Sequence, residues 1–176
     1  MPNIADFLAS VSAGVHRQYK YRVTVNFPSI VASNDVTRTA SLLAKSTAVP
    51  ESILGEMVIN WGGREIPLPG DRTFPEFTLS FINTNDYAVR DAWESWSELI
   101  NGSESNTAGV IDPDDYMRDI TLELLGPTDN VIKTYVLQNA WPKSVGSIDL
   151  DMAAMDSFSE YSCVLRYINL ASNVTR

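Results

Sequence analysis

The sequence predicts a mainly β fold: a barrel or sandwich of two antiparallel sheets, with one substantial inserted α-helix and an N-terminal helical arm. Three observations carry this. Apolar and polar residues alternate with period two in short segments along most of the 176 residues. A strong helical stripe occurs near the middle of the chain. A weaker one opens it. Residues 1–176 read as a single domain, because no linker, repeat or low-complexity tract divides them.

The opening stripe is Ile4, Phe7, Leu8, Val11 and Val15, with Gly14 weakening its end. Residues 1–18 form an arm, tucked on the domain or docked on a neighbour. From Lys20 to Phe27, Tyr21, Val23, Val25 and Phe27 alternate with polar residues, so the strand buries one face and wets the other. Pro28 ends it. Ser29 to Thr37 reads as loop, and Ala40 to Val49 as a second strand stopped by Pro50.

Residues 51–69 read as a protruding hairpin. Met57, Ile59 and Trp61 alternate, Gly62-Gly63 supplies a turn with positive φ, and Ile66 and Leu68 alternate on the return. Pro67 and Pro69 make the return strand a poor central strand and a better edge or protruding arm. An apolar arm of this kind is a liability on a monomer and makes sense if another subunit covers it. Gly70 to Phe74 reads as a turn, and Phe77, Leu79 and Phe81 mark the next strand.

Asn83-Thr84-Asn85-Asp86 is rich in capping residues and opens the strong helix, residues 84–101. Val89, Trp93, Trp96 and Ile100 form its apolar stripe, and Asn101-Gly102 closes it. Ser103 to Pro113 is a polar loop. Arg118 to Leu125 alternates cleanly. Val131 to Gln138 is apolar on both faces, as a central strand is. Trp141 to Met152 sets Ile148, Leu150 and Met152 against Ser147, Asp149 and Asp151. Phe158 to Leu170 carries Tyr161, Cys163, Leu165 and Tyr167 on one face of a last strand. The total is about eight strands.

The composition excludes several functions. With 22 acidic against 13 basic residues the net charge is −9, and no three basic residues are consecutive. Counterion release, the driving force of DNA binding, has little to act on. A single cysteine rules out an intrachain disulfide. No signal peptide and no apolar run long enough to span a bilayer stands out.

No constellation for catalysis is found. His16 is the only histidine, and nothing near it resembles a nucleophile turn. One His and one Cys leave a zinc site short of ligands. Asp112, Asp114 and Asp115 lack the glycine and the distal glutamate of a calcium loop. Cys163 reads as a buried structural thiol. Trp93 and Trp96 read as core, a ligand platform being the competing reading. No cofactor is expected. An acidic building block that assembles with copies of itself, and not an enzyme, is the reading of the residues.

Gly70-Asp71-Arg72-Thr73-Phe74, followed by an alternating strand and a Trp-bearing helix, resembles the middle of tail tube proteins from contractile-tailed phages. Trp141-Pro142-Lys143-Ser144-Val145-Gly146 resembles the Trp-Pro-x-x-Val-Gly stretch near that family's end. The final strand, Ser157 to Ile168, and the opening arm and strand fit in the same order. Ser29 to Ala40 and Ser103 to Pro113 depart from the family, and Asp156-Ser157-Phe158 matches loosely.

The resemblance implies hexameric rings in which six copies join their sheets into one continuous barrel. The rings stack into a tube inside a contractile sheath, assembled in the host cytoplasm. The tube penetrates the host envelope and conducts double-stranded DNA. Implied partners are further copies of the chain, the tail sheath protein, and baseplate and tail terminator proteins. By position, the arm and hairpin would make the contacts between subunits or rings, through Ile4, Phe7, Leu8, Met57, Ile59, Trp61, Arg64 and Ile66. Asp119, Glu123, Asp149 and Asp151, on polar strand faces, would line an acidic lumen that repels phosphate. A type VI secretion or tailocin tube, or a monomeric β-barrel binding module, are the alternatives.

Overall fold

The computed structural model describes residues 3–12 and 14–174. Met1, Pro2 and Ala13 of the expected arm lie outside these. Among these residues, nine strands and four helices follow in the order α1 (Ile4–Ser10), β1 (Tyr21–Val25), α2 (Asn34–Leu43), β2 (Ala44–Thr47), β3 (Ile53–Trp61), β4 (Arg64–Thr73), β5 (Phe77–Ile82), α3 (Ala88–Ile100), α4 (Pro113–Tyr116), β6 (Arg118–Leu125), β7 (Val131–Val145), β8 (Glu160–Arg166) and β9 (Asn169–Ser172). The mainly β, antiparallel expectation holds: each ladder among the described residues is antiparallel.

One seven-stranded sheet runs β1-β6-β7-β8-β5-β2, with β9 added beside β7, and β3-β4 form a separate two-stranded sheet. The long strand β7 joins two layers. Its first part pairs with β6 and β9, and its last residues, from Trp141 on, pair with β8. A bulge marks the change: Arg118 faces Ala140 while Ile120 faces Leu137, and Asn139 takes a φ of 55°. Such a bulge bends and twists a strand, which lets one sheet wrap around its own core.

Val23, Val25, Ile120, Leu122 and Leu137 enter the core from one layer. Phe77, Leu79, Phe81, Tyr161, Cys163 and Leu165 enter from the other. Helix α3 supplies Trp93 and Trp96, which stack with centroids 5.4 Å apart and planes at 12°. Phe27 meets Trp93 edge-on at 4.9 Å, and Phe81 lies 5.7 Å from both Trp93 and Tyr161. These contacts add offset and edge-to-face attraction to the burial of large rings. The Trp pair is core, as its spacing predicts. The ends of the sheet approach each other at Tyr21, whose hydroxyl donates to the carbonyls of Ala44 and Lys45 at 3.2 and 2.6 Å.

Several boundaries differ from the sequence reading. Of the expected loop Ser29–Thr37 and strand Ala40–Val49, Asn34–Leu43 are instead helix α2, and only Ala44–Thr47 are strand, as β2. Val36, Ala40 and Leu43 sit at helical spacing, with Ala40 fully buried and the other two packed on the core. Expected turn 70–74 continues as strand β4, because Gly55 and Gly70 let the two backbones pass closely. A Cβ on Gly70 would lie 3.0 Å from the Gly55 carbonyl carbon. Helix α3 begins later than expected, at Ala88. Asp86 Oδ1 accepts from the Ala88 amide while Tyr87 adopts a left-handed φ of 53°.

The alternation after Trp141 does not make a further strand. The ladder ends where the Gly146 amide donates to the Ser162 carbonyl at 2.7 Å. Residues 147–159 form an irregular loop in which Asp151 Oδ1 accepts from the Ala153 amide. The last expected strand is divided: Tyr167 and Ile168 carry the chain from β8 across to β9, and the Ile168 amide donates to the Gln138 carbonyl.

Candidate functional site

The hairpin β3-β4 is exposed along nearly its whole length. Gly62 and Gly63 have φ of +59° and +78°, the signature of a two-residue turn that matches strand twist. Ladder pairs Met57–Leu68, Ile59–Ile66 and Trp61–Arg64 stand on one face of the ribbon. All six side chains are exposed. The opposite face carries Leu54, Val58 and Pro67 together with Glu56, Glu65 and Arg72, which donates to Ser52. A lone two-stranded ribbon with so much apolar surface gains little stability alone in water.

The N-terminal helix repeats this pattern. Asn3 caps it by accepting from the Ala5 amide at 3.3 Å. None of its residues is buried. Ile4, Phe7 and Leu8 are largely exposed, and Val15 lies beyond its end. His16, in the following segment, contacts the Lys20 carbonyl at 3.2 Å through Nε2.

Four acidic residues were expected on polar strand faces. Asp119 and Glu123 are both on β6, on the side away from the core. Asp119 Oδ1 accepts from the Asn139 amide at 3.0 Å and so holds the bulge. Glu123 faces Arg22 in the ladder, with Nη1 and Oε2 3.4 Å apart. Thr24, Thr121, Thr134 and Val136 extend the same outer face across β1, β6 and β7 by register. Asp149 and Asp151 do not join them. They sit on loop 147–159, so their alternation with Leu150 and Met152 does not mark a strand face.

That loop is the surface the sequence reading missed. Leu150, Met152 and Met155 are almost wholly exposed, and Phe158 is more than half exposed. Within it Asp156 takes a left-handed φ of 60°. The base of the loop is anchored by Arg90. Its Nη1 donates to the Gly146 carbonyl at 2.9 Å, its Nε to Glu94 at 2.7 Å, and its guanidinium lies 5.1 Å above the Tyr161 ring.

Among the described residues, no three His, Cys, Asp or Glu side chains group to hold a metal ion. Burial pushes the Cys163 thiol and the Tyr161 hydroxyl well above their ordinary ranges, which leaves both neutral and the thiol unreactive. No helix among the described residues is long and apolar enough to cross a membrane.

The phage tail tube protein family model matches residues 16–172. The chain belongs to the phage tail tube protein family. It is 47% identical to the tail tube protein of Serratia phage KSP90 over the whole of both chains. It is 25% identical to the tail tube protein gp19 of Enterobacteria phage T4, across 69% of this chain and 74% of that protein. The fold matches a chain of the sheath-tube complex of an extracellular contractile injection system, in its extended state. The TM-score is 0.63, with 14% identity, over 94% of this chain and 96% of that one. The family is structural rather than enzymatic, and the tail tube protein is a component of the virion.

Proposed function

We propose that this tail tube protein forms hexameric rings that stack into the hollow tube of a contractile tail, within a sheath. The observation that carries the proposal is the hairpin β3-β4, whose apolar face is left exposed by the described residues of the subunit. Among the described residues, strands β1, β2 and β9 each keep one edge without a strand partner, and edge-to-edge joining around a closed ring would remove such edges. The likeness to a chain of a sheath-tube complex supports the sheath as partner. Baseplate and terminator proteins would meet the ends of the stack.

The outer face of β1, β6 and β7 is the candidate lining of the channel. Its charged pair at Arg22 and Glu123, with Asp119 beside them, leaves more negative than positive charge, while threonines form a smooth polar surface. Phosphate is repelled by such a lining, so DNA slides without sticking. The whole-chain match to a phage tail tube protein favours DNA as cargo over a secretion-system role.

The test is electron microscopy of the purified protein. Rings or tubes with a central channel are expected, and protein that stays monomeric at high concentration refutes the proposal. In reconstituted phage, Asp119→Lys with Glu123→Lys is expected to leave tubes intact and to impair DNA ejection. Normal ejection would remove the lumen assignment.

A further inference from the structure

Two uncovered surfaces of this chain complement each other. The first is the hairpin face of Met57, Ile59, Trp61, Ile66 and Leu68, on which Arg64 is the only charge. Arg64 has no ion pair or hydrogen bond among the described residues. The second is loop 147–159. It exposes Leu150, Met152 and Met155, and its only charges are Asp149, Asp151 and Asp156.

Both surfaces are open at once in the same subunit, so neither covers the other within it. The loop is firmly based, since Arg90 holds Gly146 at its start. The opposite hairpin face carries Glu56 and Glu65, which repel an acidic loop, and its Arg72 is already bonded to Ser52. Charge thus selects the Arg64 face.

We propose that loop 147–159 of one copy seats on the apolar hairpin face of a neighbouring copy, with Asp149 and Asp151 beside that neighbour's Arg64. This rests on the self-assembly reading above and names the surfaces that meet. Each copy offers one surface and receives the other. The contact joins two different patches, the kind that propagates around a ring or along a stack rather than stopping at a pair. Burying Leu150, Met152 and Met155 against Ile59, Ile66 and Leu68 supplies attraction, and the ion pair sets register. Asp149 and Asp151 then serve an interface rather than the lumen.

The test is charge exchange, read by sedimentation against protein concentration. Arg64→Glu and Asp149→Arg each are expected to raise the concentration needed for assembly about tenfold or more, since like charges meet in a partly desolvated contact. The double variant is expected to assemble near the wild-type concentration. An equal mixture of the two single variants is also expected to assemble, because alternating copies place opposite charges at every contact. Single variants that assemble like wild type overturn the proposal. So does failure of both the double variant and the mixture to recover. Wild type that never assembles overturns the self-assembly reading instead, and this one with it.

A second measurement stands apart from the charge variants. Ile59→Cys combined with Met152→Cys in otherwise wild-type protein is expected to give a ladder of disulfide-linked copies on oxidation. Buried Cys163 contributes no background. Assembled protein that yields no ladder refutes the contact.

Discussion

Two tryptophans in this chain should answer the same substitution in opposite ways. Trp61, near the hairpin tip, is 76% exposed, while Trp93, on α3, is 0% exposed. A Trp side chain presents roughly 250 Å², so covering the open share of Trp61 in an assembly is worth at most about 5 kcal/mol. Ordering the hairpin and imperfect cover at an interface reduce this to about 2 kcal/mol per contact. Trp61→Ala should therefore raise the concentration at half assembly about 30-fold. The melting temperature of the dilute subunit should hardly move, since nothing in its core is removed. Trp93→Ala instead opens a cavity between Phe27, Phe81 and Trp96. The cost is about 3–5 kcal/mol, or about 10 °C in the melting temperature of a subunit of this size. Sedimentation across a concentration series reads the first quantity, and circular dichroism of dilute protein on heating reads the second. If Trp61→Ala lowers the melting temperature as much as Trp93→Ala, or leaves assembly unchanged, the separation of assembly hairpin from core is wrong.

Two further outcomes follow from local geometry. Gly63→Val places a β-branched residue at a φ of +78°. The strain, about 1–2 kcal/mol, should fall on the hairpin alone, weakening assembly while leaving the melting of the main sheet in place; equal loss in both would tie the hairpin to the core. Cys163 should react with a thiol reagent only after denaturation, and Cys163→Ala should remove part of the protein's sensitivity to alkali. The folded chain holds the thiol proton more tightly than the unfolded chain. Stability is therefore full below the ordinary thiol value of 9.0 and falls as pH rises above it. Tyr161 adds a similar loss above its own ordinary value of 10.0. An alkaline unfolding curve unchanged by the cysteine substitution would count against this account.

Some of this architecture was legible in the residues because the physics was local. Period-two alternation at Tyr21–Val25, Phe77–Ile82 and Arg118–Leu125 reports a face buried on one side, and each segment is a strand. Gly62-Gly63 needs no context to make a tight turn. The helical stripe of Val89, Trp93 and Trp96 is likewise self-reporting. What failed depended on partners distant in sequence. Ala40 reads equally well in a strand or a helix until α2 is seen lying on β1 and α3. Leu150 and Met152 alternate with aspartates, yet that segment has no strand to pair with, so alternation alone misleads. Gly70 looks like turn punctuation, whereas its role is to let β4 pass close to Gly55. Of the proposed site, the hairpin was readable and the loop was not, because exposure of apolar residues outside regular structure leaves no periodic trace.

The distribution of buried residues separates folding from assembly. The core draws on the seven-stranded sheet, α2 and α3, while α1 contributes no buried residue and β3-β4 are exposed along nearly their whole length. Each subunit can then reach a stable fold before it meets another. The arm, the hairpin and loop 147–159 stay outside that fold, with apolar side chains that water tolerates singly but not in concert. A net charge of −9 works against premature association, because copies repel at distances set by a screening length of about 8 Å at physiological salt. Attraction between apolar faces acts only on contact, so the repulsion is overcome only when correctly opposed surfaces close. If copies join through these faces as proposed, the acidity would have a role even without a DNA channel: it would raise the threshold for assembly, and Arg64 on the hairpin face would mark where that threshold is crossed.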